Sequence, residues 1–188
     1  MQSAQDEVKE IIDQVLRLTQ CFEILWEIVR KEHLARYPEL RERHLLFFEP
    51  VQFLLGECFF VIGYQLFDRR SDSKHIGGLI KSVKNPRFAA ACKAKVAAQD
   101  STIQKVIKIR HKVFAHREKG VNPFDTFKNQ GLTIKEMRGF VELAQDVVSD
   151  LSDVLGVRSK SDQMREFASF HKTAQSGCIQ LFDSLRRP

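Results

Sequence analysis

Glycine and proline are scarce in this sequence, with nine and five residues respectively among 188. A β-rich fold with many tight turns needs more of both, because they supply the backbone conformations of turns. Phenylalanine is abundant, with fifteen residues, while 43% of the chain is hydrophobic and 29% is charged. These values are typical of a globular protein and exclude a disordered one. The composition therefore favours packed helices, in a chain long enough for one domain with a sizeable core.

Closely spaced cysteines are also lacking. The four in the chain stand far apart among apolar or small residues, which indicates reduced thiols that pack as small hydrophobes: Cys21, Cys58, Cys92 and Cys178. No Cys or His cluster has metal-ligand spacing, so we expect no metal and no other cofactor. The first ten residues lack the basic and apolar regions of a signal peptide. Residues 45–66, the most apolar stretch, are interrupted by charges and a proline, so the sequence predicts a cytoplasmic protein without a membrane segment.

Acidic residues are lacking from one part of the chain, residues 69–119. This segment holds fourteen Lys or Arg against three Asp or Glu, a net charge of +11, whereas the remainder has a net charge of −5. Positive charge gathered in one segment is typical of a surface that binds a polyanion. A solvated lysine-rich surface is the alternative.

Apolar residues recur at spacings of three and four along most of the chain, which predicts helices and no strands. The predicted helices cover residues 5–37, 39–48, 50–67, 74–83, 87–98, 101–116, 133–155 and 161–185. Pro38 ends one helix and Pro50 fits the first turn of another. Ser101 and Thr133 each open a capping box, in which a Ser or Thr and a Gln or Glu three residues later satisfy backbone donors.

The sum is an all-α bundle of about seven helices with a long N-terminal helix. The helix over 50–67 is apolar on most sides and is therefore expected near the centre. We expect one helical domain over residues 1–156, with a C-terminal helix, residues 157–188, packed on the same domain.

The helix predicted over 101–116 carries an arginine where a core helix would carry leucine. Arg110 falls in the middle of an apolar stripe formed by Ile103, Val106, Ile107, Val113 and Phe114. A guanidinium keeps its charge, so it needs a carboxylate, carbonyl groups, water or an anionic ligand. An internal ion pair in a purely structural bundle is one explanation, and a ligand site is another. His116 lies about 240° around an ideal helix from Arg110, so the two share a face only if the helix end unwinds or a second chain completes the site.

Residues 109–116, Ile-Arg-His-Lys-Val-Phe-Ala-His, resemble the signature of the HEPN superfamily, an Arg followed after four to six residues by a His. Five residues intervene here, and His111 takes the polar position that directly follows the Arg. The surroundings are similar to the abortive-infection, AbiU-like branch. Gly63–Asp68 closes an apolar helix, a polar link and a short helix follow, and the Arg–His helix ends in Phe-Ala-His. The similarity covers roughly residues 5–155.

This resemblance implies a bundle that dimerises with two motif helices facing each other. Many members are metal-independent ribonucleases of toxin–antitoxin or phage-defence systems, whereas others have lost catalysis and bind RNA, nucleotides or a protein partner. On the catalytic interpretation, Arg110 stabilises the charge developing on phosphorus and His116 is the general base or acid. Supporting or RNA-binding roles fall to His111, Lys112, Arg117, Lys108 and Lys105. The expected partners are RNA, a second copy of the chain, and an antitoxin or other protein.

The other histidines carry weaker expectations. His33 and His44 flank Pro38 among charged residues and are predicted to lie at the surface. His75 lies in the basic segment, where it could contact phosphate. His171 has no Cys or carboxylate at ligand spacing, so the sequence assigns it no metal.

Overall fold

The computed structural model describes residues 2–68, 70, 74–115 and 129–186, and every regular element within these ranges is a helix. The predicted all-α class is confirmed. In chain order the helices are α1 (Gln2–Val29), α2 (Lys31–Arg36), α3 (Pro38–Arg43), α4 (Leu45–Phe67), α5 (Ile76–Ser82), α6 (Pro86–Ala98), α7 (Asp100–Ile109), a π-helix (Arg110–Ala115), α8 (Ile134–Val154) and α9 (Lys160–Leu185).

The long helix α1 forms the centre of the bundle. It packs against α4, α8 and α9, and its apolar residues at spacings of three and four are fully buried, as Ile11, Val15 and Leu18 illustrate. The prediction that the helix over 50–67 is central is wrong for its first half. The C-terminal half of α4 enters the core through Phe59 and Leu66, neither of which is exposed.

The N-terminal half of α4 leaves a large apolar surface uncovered. Leu46 is 91% exposed and Leu54 is 56% exposed. We call this surface the exposed face of α4; it comprises Leu45, Leu46, Phe47, Phe53 and Leu54. Surfaces of this kind are usually covered by a partner, because apolar side chains in water are costly.

By length and composition, α4 could also cross a membrane. It is the one such helix in the described ranges, with 23 residues, a mean hydropathy of 1.8 and 17% of its apolar window buried. From the sequence we predict no membrane-spanning segment here, because Glu49 and Pro50 interrupt the apolar stretch. The packing of Phe59 and Leu66 in the core ties the C-terminal half of this helix to the bundle.

Two predicted helix starts differ from the structure. Pro50 lies inside α4, which begins at Leu45. Proline has no backbone N–H, so Pro50 cannot donate the helical hydrogen bond to the carbonyl of Leu46. Leu46 is strongly exposed, so water can reach its carbonyl instead. Ser101 lies inside α7 and caps nothing, because α6 passes into α7 through Gln99 alone.

The predicted capping box at Thr133 is confirmed. The Thr133 hydroxyl accepts from the Glu136 backbone N–H at 3.2 Å, and the Glu136 carboxylate accepts from the Thr133 N–H at 2.7 Å. This local signal succeeds because both partners lie within four residues.

The C-terminal helix α9 packs against α1 and α8. Four charged residues join it to α6 and α8. Lys95 donates to Asp146 at 2.5 Å and to Asp150 at 2.6 Å, and Lys160 donates to the same two carboxylates at 2.6 and 2.7 Å. Hydrogen bonds from the ammonium to both carboxylates raise the pKa of Lys95, as expected for a cation shared between two anions.

Candidate functional site around Arg110

The ring of Tyr64 supports Arg110. Tyr64 lies near the end of α4 and is 9% exposed, and Arg110 is the first residue of the π-helix. The guanidinium carbon of Arg110 lies 4.4 Å from the centroid of the Tyr64 ring. This is a cation–π contact, in which the negative face of the ring attracts the cation.

The guanidinium of Arg110 has no carboxylate within ion-pair distance among the residues that the structure describes. Its Nε atom is buried and has no hydrogen-bond partner in the described part of the chain, and its Nη1 atom lies 3.5 Å from Nδ1 of His111. The internal ion pair that a purely structural bundle predicts is therefore not found in the described part of the chain. A buried N–H without an acceptor is costly. Arg110 is partly exposed, and a guanidinium without a carboxylate partner suits an anion at the part of it that solvent reaches.

His111 completes one side of this cluster. Its ring meets the Tyr64 ring edge-on, with centroids 5.1 Å apart and an interplanar angle of 81°. The Arg110 and His111 side chains thus lie against the same tyrosine, although they are adjacent in sequence. A histidine there can donate or accept a proton near a bound anion.

The backbone around Arg110 is unusual. The sequence predicts a continuous α-helix over 101–116, but α7 ends at Ile109 and residues 110–115 form a π-helix. Ile109 and Val113 are both buried in the core, so packing fixes the chain on either side of Arg110. Short π-helical segments occur frequently at functional sites.

Asp68 and Arg70 lie behind the tyrosine. Asp68 is 5% exposed and accepts from Arg70 Nε at 2.6 Å, from the Arg70 backbone N–H at 3.1 Å, and from Tyr64. Burial raises the pKa of Asp68, but the hydrogen bonds from Arg70 and Tyr64 outweigh burial, so this pKa lies below its usual range. The Arg70 guanidinium lies 5.9 Å from the Tyr64 centroid.

Tyr64 and Asp68 are the site residues to which sequence reasoning gave no role. Both belong to the Gly63–Asp68 segment on which the family resemblance rests, and that segment was the available signal. The contact of Tyr64 with Arg110 joins positions more than forty residues apart, which no periodicity can reveal.

The predicted supporting lysines separate into two groups. Lys108 and Lys112 are exposed and make no ion pair within the described ranges. Lys105 instead donates to Glu136 at 2.5 Å and to the Gly131 carbonyl at 3.2 Å. The hydrogen bond from Lys105, with that from Thr133, lowers the pKa of Glu136 to about 2. Lys105 is therefore largely neutralised by its own chain.

His116 and Arg117 lie outside the described residues, so their positions relative to Arg110 are not part of the geometry above. Within the described residues no group of three or more His, Cys, Asp or Glu side chains could hold a metal ion.

The other histidines differ partly from expectation. His33 is buried, with Nδ1 2.8 Å from the Glu27 carbonyl, so its predicted surface position is wrong. His171 does have a carboxylate partner, since its Nδ1 lies 2.6 Å from the buried Glu23. Arg138 also contacts Glu23, at 3.3 Å. This pairing crosses 148 residues of sequence and was therefore missed.

A helical bundle with a polar Arg–His segment at the end of a core helix defines an HEPN-type module. Residues 1–179 match the family model HEPN_AbiU2, described as AbiU2, and the chain belongs to this family. The match continues through most of α9, beyond the part of the chain covered by the resemblance in the sequence. No curated protein and no solved structure matches the chain.

Proposed function

We propose that this protein is a metal-independent RNA endonuclease of the HEPN type that acts in a phage-defence or toxin–antitoxin setting. One observation carries the proposal: a half-buried guanidinium, that of Arg110, lies on a tyrosine ring beside His111 without a carboxylate among the described residues. An arginine in this state suits a phosphate, which offers oxygens to both edges of the guanidinium. Family membership supports the abortive-infection setting.

The chemistry requires a base, an acid and a cation. The base takes the proton of the substrate's 2′-hydroxyl, whose oxygen attacks the adjacent phosphorus. The bond from phosphorus to the 5′-oxygen breaks, and the acid protonates that leaving oxygen. Arg110 stabilises the charge on the phosphoryl oxygens, and His116 supplies one of the two proton transfers. His111 orients the substrate, and Lys108, Lys112 and Arg117 contact flanking phosphates.

A second copy of the chain would supply the second proton-transfer group, so we propose a homodimer. The apolar side of α7 is not available as its seam, because Ile103, Val106 and Ile109 are buried in the core of one chain. The exposed face of α4 offers another seam. At about 100° and 1.5 Å per residue, Leu46 and Tyr64 fall on the same side of α4, about 27 Å apart along its axis, so a copy docked on the exposed face would lie on the side of α4 that carries the Arg110 cluster.

We also propose a location and a partner for the protein. We place the protein in the cytoplasm, where RNA is accessible, and we propose an antitoxin or another protein as a partner that restrains its activity. A module that only binds RNA is the alternative, and the following experiment separates the two.

Purified protein is incubated with single-stranded RNA in the presence of EDTA. We expect cleavage, with 2′,3′-cyclic phosphate ends, because the nucleophile is the substrate's own hydroxyl. His116→Ala and Arg110→Ala should each lower the rate by about 10²–10⁴, whereas His111→Ala should cost less. Lys105→Ala is the matched control, since that lysine is already paired with Glu136.

RNA binding is measured alongside cleavage. We expect affinity to fall steeply with salt, because the basic segment displaces counterions from phosphates. Histidine changes charge between about pH 6 and 8. If the protein binds RNA but does not cleave it anywhere in this range, it is an RNA-binding module and not an enzyme. Affinity that does not depend on salt would contradict both.

A further inference from the structure

A groove of about 640 Å³ lies beside the Arg110 cluster, between the end of α4 and the helices α5 and α6. Its floor is apolar and is formed largely by Phe67, Ile76, Ile80 and Val96. A volume of this size is within the range of sites for small organic molecules, about 300–1,000 Å³. The groove can therefore take a ring system such as a nucleobase with its sugar.

Two buried polar side chains, Asp68 and His75, also line the groove. They are 5% and 8% exposed. His75 Nδ1 accepts from the Gly78 backbone N–H at 3.3 Å, which leaves the ring proton on Nε2. Burial lowers the pKa of His75 and nearby Lys81 lowers it further, against a smaller opposite effect of Asp68, so the ring is neutral at pH 7. The lining of the groove thus includes a carboxylate and a neutral imidazole, which are groups that can bind a base edge.

Two lysines, Lys81 from α5 and Lys93 from α6, are exposed at the rim. Within the ranges that the structure covers, neither makes an ion pair. Their neighbours do: Lys74 pairs with Glu10 at 2.7 Å and Lys95 pairs with Asp146 at 2.5 Å. The carboxylate of Asp100 also lines the groove. The two exposed cations at the rim are the groups that suit the phosphate of a ligand whose ring lies on the apolar floor.

The groove and the Arg110 cluster share a wall. Asp68 lines the groove and accepts a hydrogen bond from Tyr64, and the ring of Tyr64 carries the Arg110 guanidinium. Two side chains thus separate a ligand in the groove from a phosphate held by Arg110.

We propose that this groove is a base-binding subsite, which holds the nucleotide next to the phosphate bound by Arg110. Phe67 and Ile76 contact the base, Asp68 and His75 contact its polar edge, and Lys81 and Lys93 contact the next phosphate. The proposal rests on the proposed function, since it assigns the RNA of that reaction, and it makes this groove the place where sequence preference arises.

The test measures binding of two uncleavable dinucleotides by calorimetry. Both carry a 2′-deoxyribose at the scissile position, and one lacks the base that the groove would hold. We expect the complete dinucleotide to bind at least about fivefold more tightly, since stacking of a base on an aromatic side chain such as Phe67 contributes about 1–3 kcal/mol. In Ala97→Trp, which fills the groove from an exposed position on α6, the two affinities should become equal.

Ala91→Trp is the matched control, because Ala91 is exposed on the opposite side of α6. It should keep the wild-type difference, and thermal melting should show both variants folded. Equal affinity of the two dinucleotides for the wild-type protein, or an undiminished difference in Ala97→Trp, overturns the subsite. Cleavage of long RNA by the same preparation reports separately on the proposed function, which can stand while the subsite fails.

Discussion

At the scale of single residues, Tyr64 acts through two separate parts of its side chain. Its ring supports the Arg110 guanidinium, and its hydroxyl donates to Asp68. The two contributions can be separated by substitution, since phenylalanine keeps the ring and loses the hydroxyl.

We expect Tyr64→Leu to weaken RNA binding by about five- to thirtyfold, because a partly desolvated cation–π contact contributes about 1–2 kcal/mol. Tyr64→Phe should bind RNA within about twofold of the wild type. It should lower the free energy of unfolding by about 1 kcal/mol through the lost hydrogen bond to Asp68. Fluorescence anisotropy and urea unfolding measure the two effects. If both variants bind RNA with wild-type affinity, the contact between the Tyr64 ring and Arg110 does not contribute to RNA binding.

Glu136 predicts a dependence of stability on pH. Its pKa in the folded protein is lowered from 4.5 to about 2, so its contribution to stability is complete above about pH 4.5 and is lost as the pH falls toward 2. Glu136→Gln should therefore reduce the free energy of unfolding by about 1 kcal/mol at pH 6, allowing for partial exposure of the pair. This difference should shrink as the pH falls below about 4.5 and vanish only below about pH 2. Glu142→Gln, an exposed change on the same helix, is the control, and a difference that persists at low pH argues against the ion pair.

At the scale of helices, local signals were reliable and contacts between distant residues were not. The capping box at Thr133 is correct, because both of its partners lie in one turn. The same pattern at Ser101 fails, since α6 continues almost directly into α7. The π-helix escaped prediction because Ile109 and Val113 are four residues apart, which suits an α-helix equally well.

Two glycines of α4 provide a matched test of how closely the helices pack. A Cβ atom added to Gly63 would lie 2.9 Å from Phe140 and 3.2 Å from Val106, whereas one added to Gly56 would meet nothing within 4 Å. Gly63→Ala should therefore destabilise the protein by about 1–3 kcal/mol through overpacking. Gly56→Ala should stabilise it by up to about 1 kcal/mol, because alanine is the better helix former. Urea unfolding measures the free energy of unfolding of both variants. Equal changes in Gly63→Ala and Gly56→Ala would contradict the close approach of α4 to α7 and α8.

At the scale of the whole molecule, the exposed face of α4 is the largest apolar feature left uncovered among the described residues. Its five side chains expose roughly 500 Å², taking about 180 Å² for each fully exposed side chain. Two such faces would bury about 1,000 Å², near the lower limit for a specific interface. A second copy of the chain is therefore a sufficient partner for this surface.

We expect the wild-type protein to be a dimer at micromolar concentration and Leu46→Lys with Leu54→Lys to be a monomer. Light scattering measures the mass, and circular dichroism checks that the helices remain. Val154→Lys, which changes another exposed apolar residue at the end of α8, should leave the dimer intact. A wild-type monomer, or a dimer that survives both leucine substitutions, would exclude this seam.

The position of Asp68 also has a thermodynamic consequence. Its carboxylate lines the groove and is hydrogen-bonded to the tyrosine beneath Arg110, so a ligand that moves it in one place alters the other. Such coupling is reciprocal: if a base in the groove tightens phosphate binding by some factor, phosphate tightens binding of the base by the same factor. An RNA whose base fits poorly would then lose affinity twice, once in the groove and once at the arginine.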